Sequence, residues 1–266
     1  MTQENFLDRA LLSIEQGIAE VSFTRPDKMN ALDNASFDAL CQVSAALKDR
    51  TDVRAVVVYG TGNSFCSGLD MSMFTDPNAS LDLIDRSHGM CNRYQQAVWG
   101  WRELPVPVVA AINGYCLGGG LQIALGADVR IAHPESQYSV MEMQWGLIPD
   151  MAFSVIGPHL LRDDVLRDLV YTGRKLGAEE ALDLGLITRL SDDPLTAARE
   201  YAKNISQMNP NAIRVAKAMI NDLWPEADEH FKTESEGMAS LMKTPNQIEA
   251  VMARMEKREP KFKDPA

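Results

Sequence analysis

Two glycine-bearing segments have the composition of turns that hold an anion. They are residues 65–70 (FCSGLD) and residues 113–122 (NGYCLGGGLQ). Glycine lets the backbone approach a ligand closely, and the first amides of a helix have no internal partner. Two such turns side by side would aim two free N–H groups at one oxygen and form an oxyanion hole. We expect the amides of Leu69 and Gly119 to be these donors.

The triple glycine at residues 118–120 also fits a second interpretation, in which glycine only allows a helix and a strand to pack closely. A Walker phosphate loop is excluded because no Lys-Ser or Lys-Thr pair follows these glycines. Their spacing also differs from that of a dinucleotide-binding fingerprint. On these residues alone, the anion-binding and packing interpretations both stay open.

If the anion is the enolate of a thioester, the site also needs groups that move protons. Glu142 lies within the apolar stretch 140–143, where burial would raise its pKa as a general acid or base requires. The alternative is that Glu142 is a solvated turn residue. Asp150 follows a proline and precedes an apolar run. It is therefore either a second acid/base or an ordinary helix N-cap.

Two further polar residues lie beside the turns. Asp70 ends the first segment, and we interpret it as a turn residue or helix cap. Gln122 lies one turn into the helix predicted after the triple glycine, on a face directed toward the site. Its amide forms hydrogen bonds but does not transfer protons in the ordinary pKa range.

Short apolar runs must position these turns. Residues 54–59 and 106–112 are rich in β-branched side chains, which is typical of buried parallel strands. Residues 11–14 and 18–23 flank a Gly-containing turn and predict a β-hairpin. Strands that alternate with helices imply right-handed crossovers and a mainly parallel sheet, so the predicted fold class is α/β.

Helices are predicted between and after these strands. Asp33 or Asn34 is the expected N-cap of a helix that ends near Lys48. Residues 72–102 are polar and Met-rich with apolar side chains at helical spacing, and such a segment beside a site can act as a lid. From Asp163 onward the sequence is almost wholly helical in pattern.

The composition excludes several classes of function. The formal net charge of −11 argues against nucleic-acid binding through bulk electrostatics. No stretch is long and apolar enough to span a membrane, and the N-terminus lacks the pattern of a signal peptide. We therefore expect a cytoplasmic protein without membrane or nucleic-acid partners. The four cysteines form no Cys-x-x-Cys or Cys/His pair, so we expect no metal.

The ordered set of motifs resembles the crotonase superfamily, which is the enoyl-CoA hydratase/isomerase family. Each motif alone is weak evidence, whereas their combination over nearly the whole chain is very specific. The matching segments are residues 25–32 (RPDKMNAL), 65–70 (FCSGLD), 110–120 (AAINGYCLGGG), 146–150 (GLIPD), 171–174 (YTGR), 178–181 (AEEA) and 185–187 (GLI).

The resemblance implies a fold and an assembly. It implies a spiral of ββα units over residues 1–195, containing the coenzyme A and oxyanion sites, and a C-terminal helical region over residues 196–266. That helical region builds homotrimers in this family, often as a dimer of trimers.

The resemblance also implies the ligand and the residues that bind it. The ligand is an acyl-CoA thioester, so coenzyme A is part of the substrate and no separate cofactor is expected. The amides of Leu69 and Gly119 would hold the thioester oxygen. Lys28 and Ala31 would lie along the coenzyme A nucleotide, and Lys257 would reach a phosphate in a neighbouring subunit. The remaining positions implied to bind substrate are Ser67, Gly68, Asp70, Gly118 and Gln122.

The reaction depends on which carboxylates are present. Hydratases of this family manage water with two glutamates, at the positions of Gln122 and Glu142, and this chain lacks the first. Dienoyl-CoA isomerases use a carboxylate pair at the positions of Glu142 and Asp150, and this chain has both. The first hypothesis is therefore double-bond isomerisation by this pair.

Three other interpretations stay open. The closest is hydration with Glu142 as sole acid/base and Gln122 orienting the water. The second uses Asp150 as a nucleophile, as in the dehalogenase branch of the family. The third is an acyl-CoA-binding protein without catalysis. An RNA-binding role, known for an offshoot of the family, is disfavoured by the net charge.

Overall fold

The computed structural model describes residues 2–75, 82–221 and 227–262. These residues form a mixed α/β fold with two sheets. The ten strands are β1 (Thr2–Phe6), β2 (Ala10–Glu15), β3 (Ile18–Phe23), β4 (Ala55–Gly60), β5 (Val108–Ile112), β6 (Tyr115–Leu117), β7 (Val129–Ala132), β8 (Gln137–Ser139), β9 (Leu176–Gly177) and β10 (Arg189–Leu190).

The larger sheet has seven strands in the order β1-β2-β3-β4-β5-β7-β10. The predicted hairpin is confirmed, since β2 and β3 pair antiparallel with Leu12 opposite Val21. From β3 onward the successive strand pairs of this sheet (β3-β4, β4-β5, β5-β7 and β7-β10) are parallel, as the alternation of strands and helices predicts. The sequence patterns did not predict β1, which pairs antiparallel with β2 at the edge.

Both faces of this sheet are covered, which explains why its central strands are continuously apolar. On β4, Val56 and Val58 face the main core, whereas Val57 belongs to a second cluster on the opposite face. Ala198 and Ala202 complete that second cluster and belong to a helix near the start of the predicted C-terminal region. The division of the chain at residue 195 stays a prediction.

Helices surround the two sheets, and none within the described ranges is long and apolar enough to cross a membrane. The helices are α1 (Asn34–Lys48), α2 (Ser72–Thr75), α3 (Arg93–Glu103), α4 (Gly119–Gly126), α5 (Phe153–Leu160), α6 (Asp163–Thr172), α7 (Ala178–Asp183), α8 (Pro194–Ser206), α9 (Pro210–Asn221), α10 (Ala227–Leu241) and α11 (Pro245–Met255).

Side-chain caps set the starts of several of these helices, including α1 and α3. Asp33 caps α1 by accepting a hydrogen bond from the Ser36 amide, as predicted. The helical pattern predicted over residues 72–102 is wrong for 82–92, which are not helical, and residues 76–81 lie outside the described part of the chain. In this segment α3 begins only at Arg93, where Asn92 and Gln95 form a capping box. The regular spacing of apolar residues thus did not correspond to one long helix.

The two glycine turns lie against each other. Cys66 and Cys116 form an isolated parallel bridge, in which the Cys66 amide donates to the Tyr115 carbonyl at 3.0 Å. At Gly120, a Cβ would lie 2.6 Å from the Cys66 carbonyl oxygen. Gly120 is therefore a packing residue, because only glycine lets α4 approach the first turn this closely. The packing interpretation of the triple glycine thus holds for its last member.

We predict that Gly120→Ala lowers the free energy of unfolding by about 2 kcal/mol, since the Cys66 backbone must shift to admit the new Cβ. Urea unfolding measures this change. The control is Gly177→Ala, because a Cβ at Gly177 meets nothing within 4 Å and its φ of −81° suits any residue. Equal stability of the G120A variant and the wild type would contradict the assignment.

Candidate active site

The amides of Leu69 and Gly119 are free, as an oxyanion hole requires. Neither N–H donates a hydrogen bond to another of the described residues, whereas the adjacent Asp70 and Gly118 amides donate to Leu32 and Ser139 at 2.9 Å. Gly118 has a φ of 52°, a left-handed conformation that favours glycine and turns the chain into α4. Leu69 and Gly119 both line the same cavity, of about 690 Å³.

The walls of this cavity are mainly apolar, so charges inside it interact more strongly than in water. Phe74 and Trp145 stack at 5.3 Å between ring centroids on one wall, and the Arg254 guanidinium lies 4.9 Å from the Trp145 ring centre. The apolar side chains that line it include Phe37, Leu83, Tyr94, Met238 and Val251. Helices α10 and α11 therefore form part of the binding cavity.

Glu142 is buried in the cavity wall, with 9% of its surface exposed. It begins a 3₁₀ helix, Glu142–Trp145, shortly after β8. One oxygen, Oε1, accepts a hydrogen bond from Gln122 Nε2 at 2.7 Å, and Oε2 has no partner among the described residues. Burial raises the pKa of Glu142 to about 7, although its hydrogen bonds act in the opposite direction and lower the pKa. Glu142 is thus not the solvated turn residue of the alternative interpretation.

Asp150 also lines the cavity and is 7% exposed. It is not a helix N-cap, because the cap position of α5 is Ala152, two residues later. Burial raises the pKa of Asp150 well above its ordinary value, and the negative charges of Glu234 and Glu142 raise it further.

Gln122 connects the Glu142 carboxylate to the loop that carries Asp150. Its Nε2 donates to Glu142, and its Oε1 accepts from the Met151 amide at 2.9 Å, next to Asp150. The position one turn into α4 therefore faces the site, as predicted. The side chain fixes the loop before α5 relative to the 3₁₀ helix.

Comparison with known proteins agrees with this geometry. The family model described as Enoyl-CoA hydratase/isomerase matches residues 13–265. The chain belongs to this family. It is an acyl-CoA enzyme of the hydratase/isomerase type, and the resemblance drawn from its motifs is confirmed.

Relatives in the enoyl-CoA hydratase/isomerase family have different reactions in their names. The mitochondrial Delta(3,5)-Delta(2,4)-dienoyl-CoA isomerase of Rattus norvegicus is 30% identical over 98% of this chain and 83% of its own length. A probable enoyl-CoA hydratase of Mycobacterium bovis is 31% identical over 95% of this chain and 96% of its own. The crystal structure of an enoyl-CoA hydratase/isomerase from Pseudoalteromonas atlantica is 27% identical, covers 96% of this chain and all of its own, and has a TM-score of 0.86.

Most of the positions that the motif resemblance predicts to bind the ligand line the same cavity. They are Lys28, Ala31, Ser67, Gly68, Asp70, Gly118 and Gln122. Asp70 is held in its turn by an ion pair with Arg25 at 2.9 Å and by the Ser72 amide. Lys257 lies beyond α11, exposed and outside the cavity lining, so its predicted contact with a neighbouring subunit stays a prediction.

Sequence patterns missed two residues near this enoyl-CoA hydratase/isomerase site. Lys243 lines the cavity between α10 and α11 and adds a second cation to Lys28. Glu234 is buried behind Asp150 within the polar sequence of α10. No local signal separates Glu234 from its exposed neighbour Glu236. In the described ranges, no group of three or more His, Cys, Asp or Glu side chains could hold a metal ion.

The buried Glu142 carboxyl predicts a pH dependence of stability. Its pKa rises from 4.5 to about 7 on folding, so the folded chain keeps a proton that the unfolded chain has released. Stability therefore falls as the pH rises through this window. Glu142→Gln removes this pH dependence. We predict that, as the pH rises through the window, the free energy of unfolding of Glu142→Gln increases by up to about 3 kcal/mol relative to that of the wild type.

Urea unfolding at several pH values measures this difference. The control is Glu179→Gln, which removes an exposed glutamate on α7 and should leave the pH dependence unchanged. Parallel stability curves for the E142Q variant and the wild type would show that Glu142 is not a buried acid with a raised pKa.

Proposed function

We propose that this enzyme moves a double bond along the chain of an unsaturated acyl-CoA thioester. The observation that carries the proposal is the presence of two buried carboxyl groups, Glu142 and Asp150, in one cavity with two free amides. A pair of acids whose surroundings give them different proton affinities can remove a proton at one carbon and supply one at another.

The two carboxyl groups divide these roles by their environments. Glu142 has a pKa of about 7 and an unpartnered oxygen, so near neutral pH its carboxylate can accept a proton. Burial and neighbouring negative charges raise the pKa of Asp150 well above its ordinary value, which favours its protonated form. Glu142 is therefore the base and Asp150 the acid in this proposal.

In the first step, Glu142 removes a proton from the carbon next to the thioester carbonyl. The electron pair of the broken C–H bond moves into the carbonyl, which becomes an enolate oxygen. The amides of Leu69 and Gly119 donate hydrogen bonds to that oxygen. In the second step the enolate collapses, Asp150 protonates a carbon further along the chain, and the double bond has moved with no net oxidation.

The contacts of Gln122 favour isomerisation over hydration. Its Nε2 is used by Glu142 and its Oε1 by the Met151 amide, so the side chain already supports two parts of the site. An amide also does not accept the proton that a water nucleophile must lose. Hydration with Glu142 as the sole acid/base remains the second candidate, since relatives include proteins named as hydratases.

In the same proposal coenzyme A binds beside Lys28 and Lys243, which both line the cavity. The protein is acidic overall, so these two cations would supply the local positive charge that attracts the phosphates of the anionic ligand. We also propose a homotrimer or dimer of trimers, because α9 exposes Val215, Met219 and Ile220, each more than half accessible in the single chain.

Asp150→Asn is predicted to lower the rate of isomerisation about a hundredfold or more, because the amide cannot supply a proton. Glu142→Gln is predicted to have at least as large an effect, since it removes the base. The measurement is kcat for isomerisation across a panel of enoyl- and dienoyl-CoA substrates. Hydration is assayed separately on the same panel.

The matched control is Asp192→Asn, which changes an exposed aspartate before α8 and should leave kcat unchanged. If D150N isomerises at the wild-type rate, the pairing with Glu142 is wrong. If neither D150N nor E142Q affects catalysis of either reaction, both carboxyl groups are outside the chemistry.

We predict that Gln122→Glu raises the ratio of hydration to isomerisation. A carboxyl group at this position would lie beside Glu142 Oε1 and could share the activation of a water molecule. The ratio of the two products from one enoyl-CoA substrate measures the effect, with the exposed Gln207→Glu as control. An unchanged ratio would show that residue 122 does not select the reaction.

The non-catalytic alternative predicts binding without proton transfer. Incorporation of solvent deuterium next to the thioester carbonyl of a bound acyl-CoA tests it directly. Exchange that requires Glu142 supports the enzyme, and binding without exchange would show that the chain only holds the ligand.

A further inference from the structure

We propose that Glu234 is a positioning residue for Asp150, holding its loop in place and, through its own negative charge, keeping Asp150 protonated. The inference rests on the proposed role of Asp150 as an acid. Glu234 lies outside the cavity lining and does not itself contact the ligand site.

Glu234 is 3% exposed in the middle of α10, and both of its oxygens accept hydrogen bonds. Oε1 accepts from the Ser154 amide at 2.7 Å, and Oε2 accepts from the Ala152 amide at 2.9 Å. Gln95 on α3 donates to Oε2 at 3.1 Å. Glu234 therefore caps the start of α5 from a distant helix, and its position is itself fixed by α3.

These contacts fix the loop that carries Asp150. Ala152 has a left-handed φ of 62°, which is unfavourable for a residue with a side chain and needs support from its surroundings. Glu234 supplies that support at the Ala152 amide, and Gln122 binds the preceding Met151 amide. Gln122 and Glu234 thus hold two consecutive residues of the loop, Met151 and Ala152, and Asp150 directly precedes them.

The charge of Glu234 acts on Asp150 as well. The backbone N–H groups of Ala152 and Ser154 and the Gln95 side chain donate to Glu234 and suit its carboxylate form. Among the described groups, only the Asp150 backbone N–H donates to the Asp150 carboxyl. These contacts favour the carboxylate form of Glu234 and the protonated form of Asp150. Burial raises the pKa of Glu234 to about 7, and its negative charge is the largest electrostatic cause of the raised pKa of Asp150.

Other groups face this pair from the elements packed around it. Glu142 and Tyr94 face Asp150 from the 3₁₀ helix and from α3. Cys91 faces Glu234 from the segment before α3. Arg86 donates to Gln95, which binds Glu234, and to Ser235, which is next to Glu234 in the chain.

Glu234→Gln is the discriminating variant because it keeps the size and removes the charge. One amide nitrogen would also replace an acceptor of backbone N–H groups. We expect kcat for isomerisation to fall about tenfold and the basic limb of the kcat–pH profile to move about one pH unit lower. If Glu234 acted only as a helix cap, with no electrostatic influence on Asp150, E234Q would lower kcat without moving the basic limb.

The control is Glu236→Gln, which removes the same charge from an exposed position on α10 and should change neither quantity. In the D150N background, E234Q should have little further effect, since both changes act through one group. Equal effects of E234Q with and without Asp150, and an unmoved basic limb, would overturn the inference.

Titration of Asp150 itself separates this inference from the proposed reaction. In protein labelled with ¹³C at aspartate carboxyl groups, the NMR signal absent from D150N identifies Asp150. We expect that signal to titrate at lower pH in E234Q than in the wild type, and an unchanged titration would overturn the inference. A D150N variant with full isomerase activity would instead refute the proposed reaction, while this titration would still report the influence of Glu234.

Should E234Q fail to fold, Glu234→Asp keeps the charge and shortens the reach. It is expected to lower kcat and to leave the basic limb at its wild-type position. Wild-type kcat in E234D would contradict the positioning role.

Discussion

The backbone pairing of Cys66 with Cys116 joins the two glycine turns, and the geometry of the site depends on it. Gly120 lets α4 approach the Cys66 carbonyl, and this contact brings the Leu69 and Gly119 amides to one cavity. Each free N–H is an unsatisfied donor, which costs stability unless a ligand or solvent binds it. The two turns are therefore less stable locally, and in return they present two donors that could stabilise a negative charge on a ligand oxygen.

Glu142 and Asp150 are both buried, so hydrogen bonds and neighbouring charges are what distinguish them. Glu142 and Asp150 lie in the same apolar cavity, yet Gln122 stabilises the carboxylate of the first, whereas neighbouring negative charges disfavour ionisation of the second. A single amide side chain thus binds the Glu142 carboxylate while it anchors the loop that carries Asp150. The C-terminal helices contribute in two ways, through apolar cavity walls and through Glu234 behind the loop.

Periodicity and turn chemistry were sufficient for the regular elements. The hairpin of β2 and β3, the cap at Asp33 and the parallel core strands were all predicted, because their signals are local. Residues 82–92 were wrongly predicted to be helical, since apolar spacing alone does not show where a capping box starts a helix. Glu234 was missed because its partners are 80 or more positions away on other elements, and nothing in its neighbourhood marks it as buried.

The sequence by itself determined the family, the two glycine turns and the identity of the candidate acids, because these depend on residue types in a fixed order. Only the tertiary structure decided that Asp150 is a buried acid rather than a helix cap, and that Gln122 binds Glu142 and the Met151 amide together. Proton affinity depends on burial and on charges brought close by folding. Those are properties of the assembled site, which no single segment of the chain contains.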